Sequence, residues 1–352
     1  MKRKLNLQYI KHIDDDGVIH INKSINNLTD LIDLCDMYIP GYEYNINLKR
    51  LHCIKKPLLK LKDTIGLEKI KSEIIKQILF FLQEFQGKNG DMMHTVIQGS
   101  PGVGKTMLGE IIGQIYYNLG VIKRKDGAEE DDDGEYKFKI LKRTDLVGQY
   151  LGTTAKKTQD AIDSCLGGVM FIDEAYSLGN EEKRDIYAKE CIDTINQNLT
   201  EHKGEFLCII AGYEEDLNKC FFAYNEGLRR RFPFVYTIDK YTDDDLRRIF
   251  CRMLGTINWK IAVDVKRLKE IFKDNYDVFT NMAGDIESLV FNCKLEHSTR
   301  VFCMDDIHKN KINETDLLNA ITVLKSMRNG DVALKQKEKD KYHTMTMYSW
   351  FI

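Results

Sequence analysis

Residues 99 to 106 bring together the side chains with the clearest chemical potential in this chain. They fit the pattern G-x-x-x-x-G-K-[ST], and in order they are Gly99, Ser100, Pro101, Gly102, Val103, Gly104, Lys105 and Thr106. Glycines let backbone N–H groups turn inward and cradle phosphate oxygens. Lys105 would reach the β and γ phosphates, and the Thr106 hydroxyl would ligate Mg²⁺. The pattern therefore predicts a binding site for ATP and Mg²⁺.

The sequence on either side of this loop supports the prediction. The run from His94 to Gln98 predicts a strand before the loop, and apolar residues at helical spacing predict a helix after it. The helical positions are Leu108, Ile111, Ile112, Ile115 and Leu119, closed by Gly120. A helix directs the positive end of its dipole at an anion bound to its N-terminus. This order of elements disfavours the alternative, a tight glycine turn without a ligand.

Two carboxylates end a second apolar run. Residues 169–172 predict a buried central strand, which is followed directly by Asp173 and Glu174. Strand ends are where α/β sheets place their ligands. Asp173 would hold Mg²⁺ through its water shell, and Glu174 would orient or deprotonate the attacking water. A strand that ends in Asp-Glu is common by itself, but about 70 residues after a phosphate-binding loop it indicates the second half of an ATP site.

The elements that must position these residues alternate from residue 62 to residue 241. Short apolar runs predict strands, and helical patterns separate them; the runs are 95–97, 138–141, 169–172, 206–211 and 234–238. This alternation is typical of a parallel sheet covered by helices. After residue 241 the pattern becomes helical, and Thr242 with Asp245 predicts a helix N-cap. Further helices are expected over 264–276, 284–299 and 313–327.

Three segments lie outside this pattern. Within residues 1–61, Leu28, Leu31, Ile32 and Cys35 fall at helical spacing and predict one amphipathic helix. Residues 123–137 carry an acidic run, which indicates a solvated insertion or, as the alternative, a contact site for a basic partner. The tail 326–352 is charged and ends apolar, and the sequence leaves open whether it is disordered or docked.

Composition excludes several classes of protein. The net charge of −2 over 352 residues gives no general attraction to nucleic acid or membrane. The nine cysteines contain no C-x-x-C pair, which favours reduced thiols over a metal or disulfide framework. No apolar stretch approaches the roughly 18 residues of a membrane span, and acidic residues follow the basic start at once. We therefore expect a soluble intracellular, cytoplasmic-type protein without a signal or transit peptide.

Three stretches together resemble one protein family. They are KRTDLVGQYLGTTAKKT at 142–158, GGVMFIDEAY at 167–176 and IAGY at 210–213. They are similar to the CbbX/CfxQ group of AAA+ proteins, which includes the Rubisco activase of red-type carbon fixation and sporulation stage V protein K. The resemblance covers residues 62–325, with several motifs in the family's order and spacing.

The resemblance implies a fold and an assembly. The fold is α/β, a P-loop domain with a five-stranded parallel sheet flanked by helices, followed by a smaller all-helical lid domain. The working unit of the family is a hexameric ring of identical subunits with ATP between them. The expected segments are an N-terminal extension of unknown role (1–61), a nucleotide-binding domain (62–241), the lid (242–325) and a charged tail (326–352).

Further roles come from the resemblance alone. Ile65 and Gly66 would lie against the adenine. The aromatic–hydrophobic–glycine loop that relatives project into the central pore, to grip a polypeptide, corresponds here to Tyr150, Leu151 and Gly152. Without the resemblance, Tyr150 would be interpreted as an exposed or half-buried loop aromatic.

A run of arginines matches the family's arginine finger, which reaches the ATP of the neighbouring subunit. It stabilises charge on the γ-phosphate in the transition state. By alignment Arg231 is the best candidate, while Arg229 and Arg230 stay open because adjacent arginines are equivalent by sequence. The alternative is a solvated basic turn.

Two positions depart from the wider family. Many AAA+ proteins keep a small polar residue near the γ-phosphate after the fourth strand, where this chain has Gly212 and Tyr213. The lid helix usually offers the phosphates an arginine, and here the corresponding position holds Glu287. A carboxylate beside ATP would repel it. Either Glu287 points away or the lid responds differently to nucleotide, and Lys294 or Arg300 could compensate.

The leading interpretation is an ATP-hydrolysing machine that remodels a protein partner, whose identity the sequence does not reveal. The alternative is a nucleotide-dependent binding scaffold with slow turnover, because the lid arginine is missing. A motor acting on nucleic acid is less favoured, since beyond Arg229–Arg231 and scattered lysines the sequence shows no basic stripe.

Overall fold

The computed structural model describes residues 9–85, 92–123, 136–150, 152–305 and 309–328. Leu151, most of the acidic insertion and the tail after residue 328 lie outside these ranges. Contacts between Cα atoms divide the chain into two compact units. One consists of Met1–Ser100 and Gly104–Asp239, and the other of Pro101–Val103 and Lys240–Ile352.

The N-terminal part of the first unit has more structure than the sequence indicated. Strands β1 (Ile10–Ile13) and β2 (Ile19–Ile21) form an antiparallel hairpin, and the predicted amphipathic helix is α1 (Leu28–Met37). Its apolar positions, including Leu31 and Cys35, are buried. Three more helices follow: α2 (Leu48–Cys53), α3 (Lys55–Asp63) and α4 (Glu68–Leu82).

A five-stranded parallel sheet forms the centre of this unit, as predicted. Its strands are β3 (Thr95–Gly99), β4 (Phe138–Leu141), β5 (Val169–Ile172), β6 (Leu207–Gly212) and β7 (Phe234–Ile238). They lie in the order β4-β5-β6-β3-β7. Every residue of β5 and β6 is buried, because helices cover both faces of a parallel sheet. The carboxyl ends of β5, β6 and β3 therefore meet at one edge.

Helices pack on the faces of this sheet. Their bounds are α5 (Lys105–Asn118), α6 (Arg143–Leu146), α7 (Thr154–Asp163), α8 (Ile186–Glu201) and α9 (Glu214–Cys220). The apolar positions predicted for α5 are buried. A Cβ atom at Gly109 would lie 2.4 Å from the Phe171 ring, so α5 approaches β5 too closely for any side chain at this position.

The second unit is mainly helical, which confirms the prediction for this region. Its helices are α10 (Asp243–Thr256), α11 (Val265–Asp274), α12 (Ala283–Val301) and α13 (314–328). A small parallel sheet, β8 (Lys260–Ala262) with β9 (Lys311–Asn313), adds to the predicted all-helical domain. Three-residue strands are too short to show alternation in a sequence. Among the described helices of both units, none is long and apolar enough to cross a membrane.

Candidate nucleotide site

Residues 99–106, which we call the P-loop, run from the end of β3 into the start of α5. Their backbone has the shape that a phosphate group requires. Gly102 and Gly104 have φ angles of 68° and 85°, in the left-handed region that favours glycine. Gly104 precedes the first residue of α5 directly, so the unpaired N–H groups of the first helical turn face the loop. An anion in this loop would therefore meet both N–H donors and the positive end of the helix dipole.

Lys105 lies across the loop. Its Nζ donates to the carbonyl oxygens of Gly99 at 3.0 Å and Ser100 at 2.9 Å, and it lies 5.0 Å from the centre of the Tyr213 ring. Partial burial lowers the pKa of Lys105 from its ordinary value, and the carboxylates of Asp173 and Glu174 oppose this shift. The negative charges of these two carboxylates therefore favour the protonated form of Lys105.

The backbone bends sharply at Asp173 and Glu174, directly after β5. The Asp173 N–H donates to the Leu141 carbonyl of β4 at 3.2 Å, and the Glu174 N–H donates to Oδ1 of Asp173 at 3.1 Å. Glu174 has a φ angle of 49°, a conformation uncommon for residues other than glycine. It begins the 3-10 helix Ala175–Leu178 and keeps its side chain exposed.

The structure brings together the P-loop lysine and the paired carboxylates that the sequence singled out. The residues also fit a magnesium–nucleotide complex, since Thr106 and Asp173 offer the oxygen ligands that Mg²⁺ prefers. Among the described residues, no side chain or backbone group hydrogen-bonds to the Thr106 hydroxyl. Nor does any group of three or more His, Cys, Asp or Glu in those ranges form a metal site.

Ile65 and Gly66 lie in the short loop between α3 and α4, and both are partly buried. Gly66 and the next residue, Leu67, have φ angles of 70° and 65°. The buried side chain of Lys71 stabilises this loop, because its Nζ donates to the Thr64 carbonyl at 2.8 Å and to Glu68 at 2.9 Å. Sequence analysis missed Lys71, although a lysine on the apolar face of α4 was a visible signal.

The three arginines form a 3-10 helix, Arg229–Arg231, just before β7. Arg231 donates to Oγ1 of Thr200 at 2.8 Å and to the Gly227 carbonyl at 2.7 Å. Arg229 lies over the Phe222 ring, at 5.0 Å from its centre. Arg230 is exposed and has no hydrogen bond or ion pair with any described residue. The three side chains that sequence could not distinguish therefore have different surroundings.

Arg231 and Lys105 lie toward opposite edges of the sheet. Phe234, which starts β7, is in register with Thr95 at the start of β3, whereas the P-loop follows the other end of β3. The two ends of this strand are about 13 Å apart. Arg231 also acts on His94, next to Thr95: burial lowers the pKa of His94 to about 4, and the positive charge of Arg231 contributes. The structure does not bring Arg231 to the P-loop of its own chain.

Tyr150 stands on an exposed turn. Its side chain is 73% exposed, and its backbone is held by Thr153, whose hydroxyl accepts from the Tyr150 N–H at 3.3 Å and donates to the Tyr150 carbonyl at 2.7 Å. Gly152 has a φ angle of 80°, which closes the turn. Leu151 lies outside the described residues.

Glu287 is exposed on α12. The two basic residues considered as substitutes for a lid arginine have partners within the same unit. Arg300 pairs with the buried Asp316 at 2.8 Å, and Lys294 lies 6.0 Å from the centre of the Trp259 ring. These contacts hold both side chains to their own domain.

Comparison with known proteins is consistent with this arrangement. The model of the ATPase family associated with various cellular activities (AAA) matches residues 95–239. A cfxQ-like protein of Acanthamoeba polyphaga mimivirus is 40% identical over 296 residues, which are 84% of this chain and 70% of that protein. The chain belongs to the CfxQ-like group of AAA ATPases. Stage V sporulation protein K of Bacillus subtilis is 32% identical over 228 residues, 62% of this chain and 66% of that protein.

Solved structures show that the AAA fold is shared. The AAA domain of FIGL-1 in complex with ADP matches with a TM-score of 0.54 and 19% sequence identity, and it covers 78% of this chain and 89% of that domain. As an AAA ATPase, this CfxQ-like protein binds nucleotide and hydrolyses ATP.

Proposed function

We propose that this CfxQ-like ATPase works as a ring that remodels a protein partner, with each ATP site shared between two subunits. The observation that carries the proposal is the separation of Arg231 from the P-loop within one chain. Lys105 lies at the carboxyl edge of the sheet, and Arg231 lies toward the amino edge. An arginine finger at this position serves a site only if it reaches the nucleotide of a neighbouring subunit.

The chemistry within one subunit follows from the residues at the carboxyl edge. The loop N–H groups and Lys105 would bind the phosphates, and Glu174 would take a proton from the attacking water or orient it. Thr106 and Asp173 would hold Mg²⁺, directly and through water. When bound, Mg²⁺ neutralises the charge that develops on the phosphate oxygens. Ile65 and Gly66 would contact the adenine.

The remodelling step rests on Tyr150. An aromatic side chain that is 73% exposed on a turn held by its own hydrogen bonds suits a group that contacts a polypeptide. In a hexameric ring, Tyr150 with Leu151 and Gly152 would line the central pore. Movement driven by hydrolysis would then pull on the bound chain.

A mixing experiment tests the shared site. Arg231→Ala should bind ATP almost as the parent does but hydrolyse it at least about a hundredfold more slowly. Mixing it with Lys105→Ala subunits should partly restore phosphate release, because some interfaces pair an intact Lys105 pocket with an intact Arg231. Light scattering confirms that the subunits assemble together.

The matched control mixes Lys105→Ala with Glu174→Gln. Both changes damage the same half of the site, so no interface in the mixed ring is complete and no rescue is expected. Full activity of Arg231→Ala alone would transfer the finger role to Arg229 or Arg230. Loss without rescue, in assembled rings, would exclude a shared site.

The second candidate function is a nucleotide-dependent scaffold with slow turnover, which the acidic Glu287 on α12 favours. Glu287→Arg restores the residue that the resemblance leads us to expect. We expect it to change nucleotide affinity or turnover several-fold, since a charge beside a partly solvated triphosphate alters its binding modestly. Unchanged kinetics would show that residue 287 does not face the nucleotide.

A further inference from the structure

Two stacked tyrosines occupy the sheet edge between the P-loop and the carboxylates. Tyr213 follows β6, which lies between β5 and β3 in the sheet, and Tyr176 belongs to the 3-10 helix that Glu174 begins. Their ring centres are 5.3 Å apart and their planes differ by only 21°. By the resemblance described above, Tyr213 and the preceding Gly212 take the place at which many AAA+ proteins carry a small polar residue.

Gly212 makes room for this stack. A Cβ atom at residue 212 would lie 2.9 Å from Cδ1 of Tyr176 and 3.0 Å from the Leu217 side chain. Any larger residue would push the Tyr176 ring out of its position. The Gly212-Tyr213 pair after β6 and Tyr176 after β5 thus form one packed unit, although they are distant in sequence.

One end of the stack contacts Lys105. The ammonium Nζ lies 5.0 Å from the centre of the Tyr213 ring, within the range in which a cation is attracted to an aromatic face. The same Nζ donates to two P-loop carbonyl oxygens. The ring and the loop carbonyls therefore contact the same ammonium group, which restricts the positions that this group can take.

The other ring of the stack belongs to the turn that Glu174 begins: Tyr176 follows Glu174 by two residues in the 3-10 helix Ala175–Leu178, which has Glu174 as its N-cap. Burial and the neighbouring Glu174 carboxylate raise the pKa of Tyr176 well above its ordinary value, and Tyr213 adds to this effect. The Tyr176 hydroxyl, which carries its proton at neutral pH as ordinary tyrosines do, is available as a donor to this carboxylate. Glu174 is exposed, so a donor beside it would limit the directions in which its carboxylate can point.

We propose that Tyr176 and Tyr213 are positioning residues for ATP hydrolysis: the Tyr176 hydroxyl donates to Glu174 and orients it toward the attacking water, while the Tyr213 ring supports Lys105. Because the rings are stacked, the position of the phosphate-binding lysine and that of the catalytic base depend on each other. The inference rests on the roles proposed above for Lys105 and Glu174.

Tyr176→Phe is the main test, because it removes the hydroxyl and keeps the ring. A hydrogen bond to a charged group is worth a rate factor of about ten to a hundred, and we expect kcat to fall by that factor. The KM for ATP and the equilibrium affinity for nucleotide should stay within about twofold. A purely structural role would instead lower the melting temperature or weaken nucleotide binding.

Tyr224→Phe is the matched control. Tyr224 is another partly buried tyrosine, and its hydroxyl bonds to Asn180 outside the site, accepting from its N–H at 3.0 Å and donating to its Oδ1 at 2.9 Å. Removing that hydroxyl should leave kcat unchanged. An equal fall of kcat in both variants would overturn the proposal.

Tyr213 is tested by two substitutions. Tyr213→Phe keeps the aromatic face and should retain kcat and nucleotide affinity within about threefold. Tyr213→Leu removes the face and should lower both by about tenfold, as expected for loss of a partly buried cation–π contact. Equal values for the two variants, whether both high or both low, would overturn the support assigned to Tyr213. If Tyr176→Phe does not fold, the difference between Tyr213→Phe and Tyr213→Leu still tests whether the stacked pair positions Lys105.

Glu174→Gln separates this inference from the proposed function. If Glu174→Gln keeps normal turnover, the catalytic base is misassigned. The role proposed for Glu174 and the positioning role of the two tyrosines then both fail. If Glu174→Gln loses turnover while Tyr176→Phe keeps it, only the positioning role is wrong. Loss of turnover in both, with nucleotide binding retained, supports the proposal.

Discussion

Lys105 is the residue on which nucleotide binding depends most directly. Its ammonium group is held between two backbone carbonyls and an aromatic ring, at the edge where the carboxylates also lie. Phosphate oxygens would replace the carbonyls as its acceptors. Because charge-assisted bonds are the strong ones, we expect Lys105→Ala to weaken ATP binding at least about tenfold in an equilibrium titration.

Glu174→Gln should keep ATP binding and lose ATP hydrolysis. The amide keeps the size of the side chain but cannot accept a proton, so binding should stay within about twofold while phosphate release falls at least about a hundredfold. Lys189→Ala is a suitable control for both variants, because Lys189 is exposed on α8, a helix that supplies none of the residues assigned to the site. If Lys105→Ala binds ATP as well as the parent does, the pocket is misassigned.

The start of α10 shows how a local contact stabilises a single helix. The Thr242 hydroxyl accepts from the Asp245 N–H at 3.1 Å, and the Asp245 carboxylate accepts from the Thr242 N–H at 3.1 Å. This reciprocal capping box was predicted from the sequence and is confirmed. Thr242→Ala should cost about 1 kcal/mol and speed hydrogen exchange in the first turn of α10.

Thr256→Ala is the matched control at the other end of the same helix. Its exposed hydroxyl donates to the Met253 carbonyl at 2.7 Å and, among the described residues, accepts from no N–H group. We expect hydrogen exchange in the first turn to stay at the parental rate. Faster exchange there in both variants would mean that the cap does not stabilise the helix start.

At the scale of the whole molecule, Tyr150 tests whether ATP hydrolysis is coupled to a polypeptide. An unfolded probe, reduced and carboxymethylated α-lactalbumin, should stimulate phosphate release by the parent and by Tyr150→Phe, which keeps the aromatic ring. Stimulation should be lost in Tyr150→Ala, since the exposed ring is the proposed contact. A parent that the probe does not stimulate, or equal stimulation of all three proteins, would favour the scaffold function.

Sequence alone determined the parts of this protein in which neighbouring residues carry the whole signal. The P-loop, the strand before it and the helix after it are contiguous, so spacing and residue type predict them together. The same holds for the buried run that ends in Asp173 and Glu174, because a strand covered on both faces is apolar throughout. The capping box at Thr242 spans four residues and needs no tertiary contact.

Only the tertiary structure decided which distant segments meet. Tyr176 and Tyr213 stack because β5 and β6 are neighbours in the sheet, and nothing in either local sequence states that order. Arg229, Arg230 and Arg231 differ only in what packs around them. The distance from Arg231 to the P-loop likewise follows from the register of β7 on β3. Strand order and register are set by packing of the whole core, so they become visible only when the chain is folded.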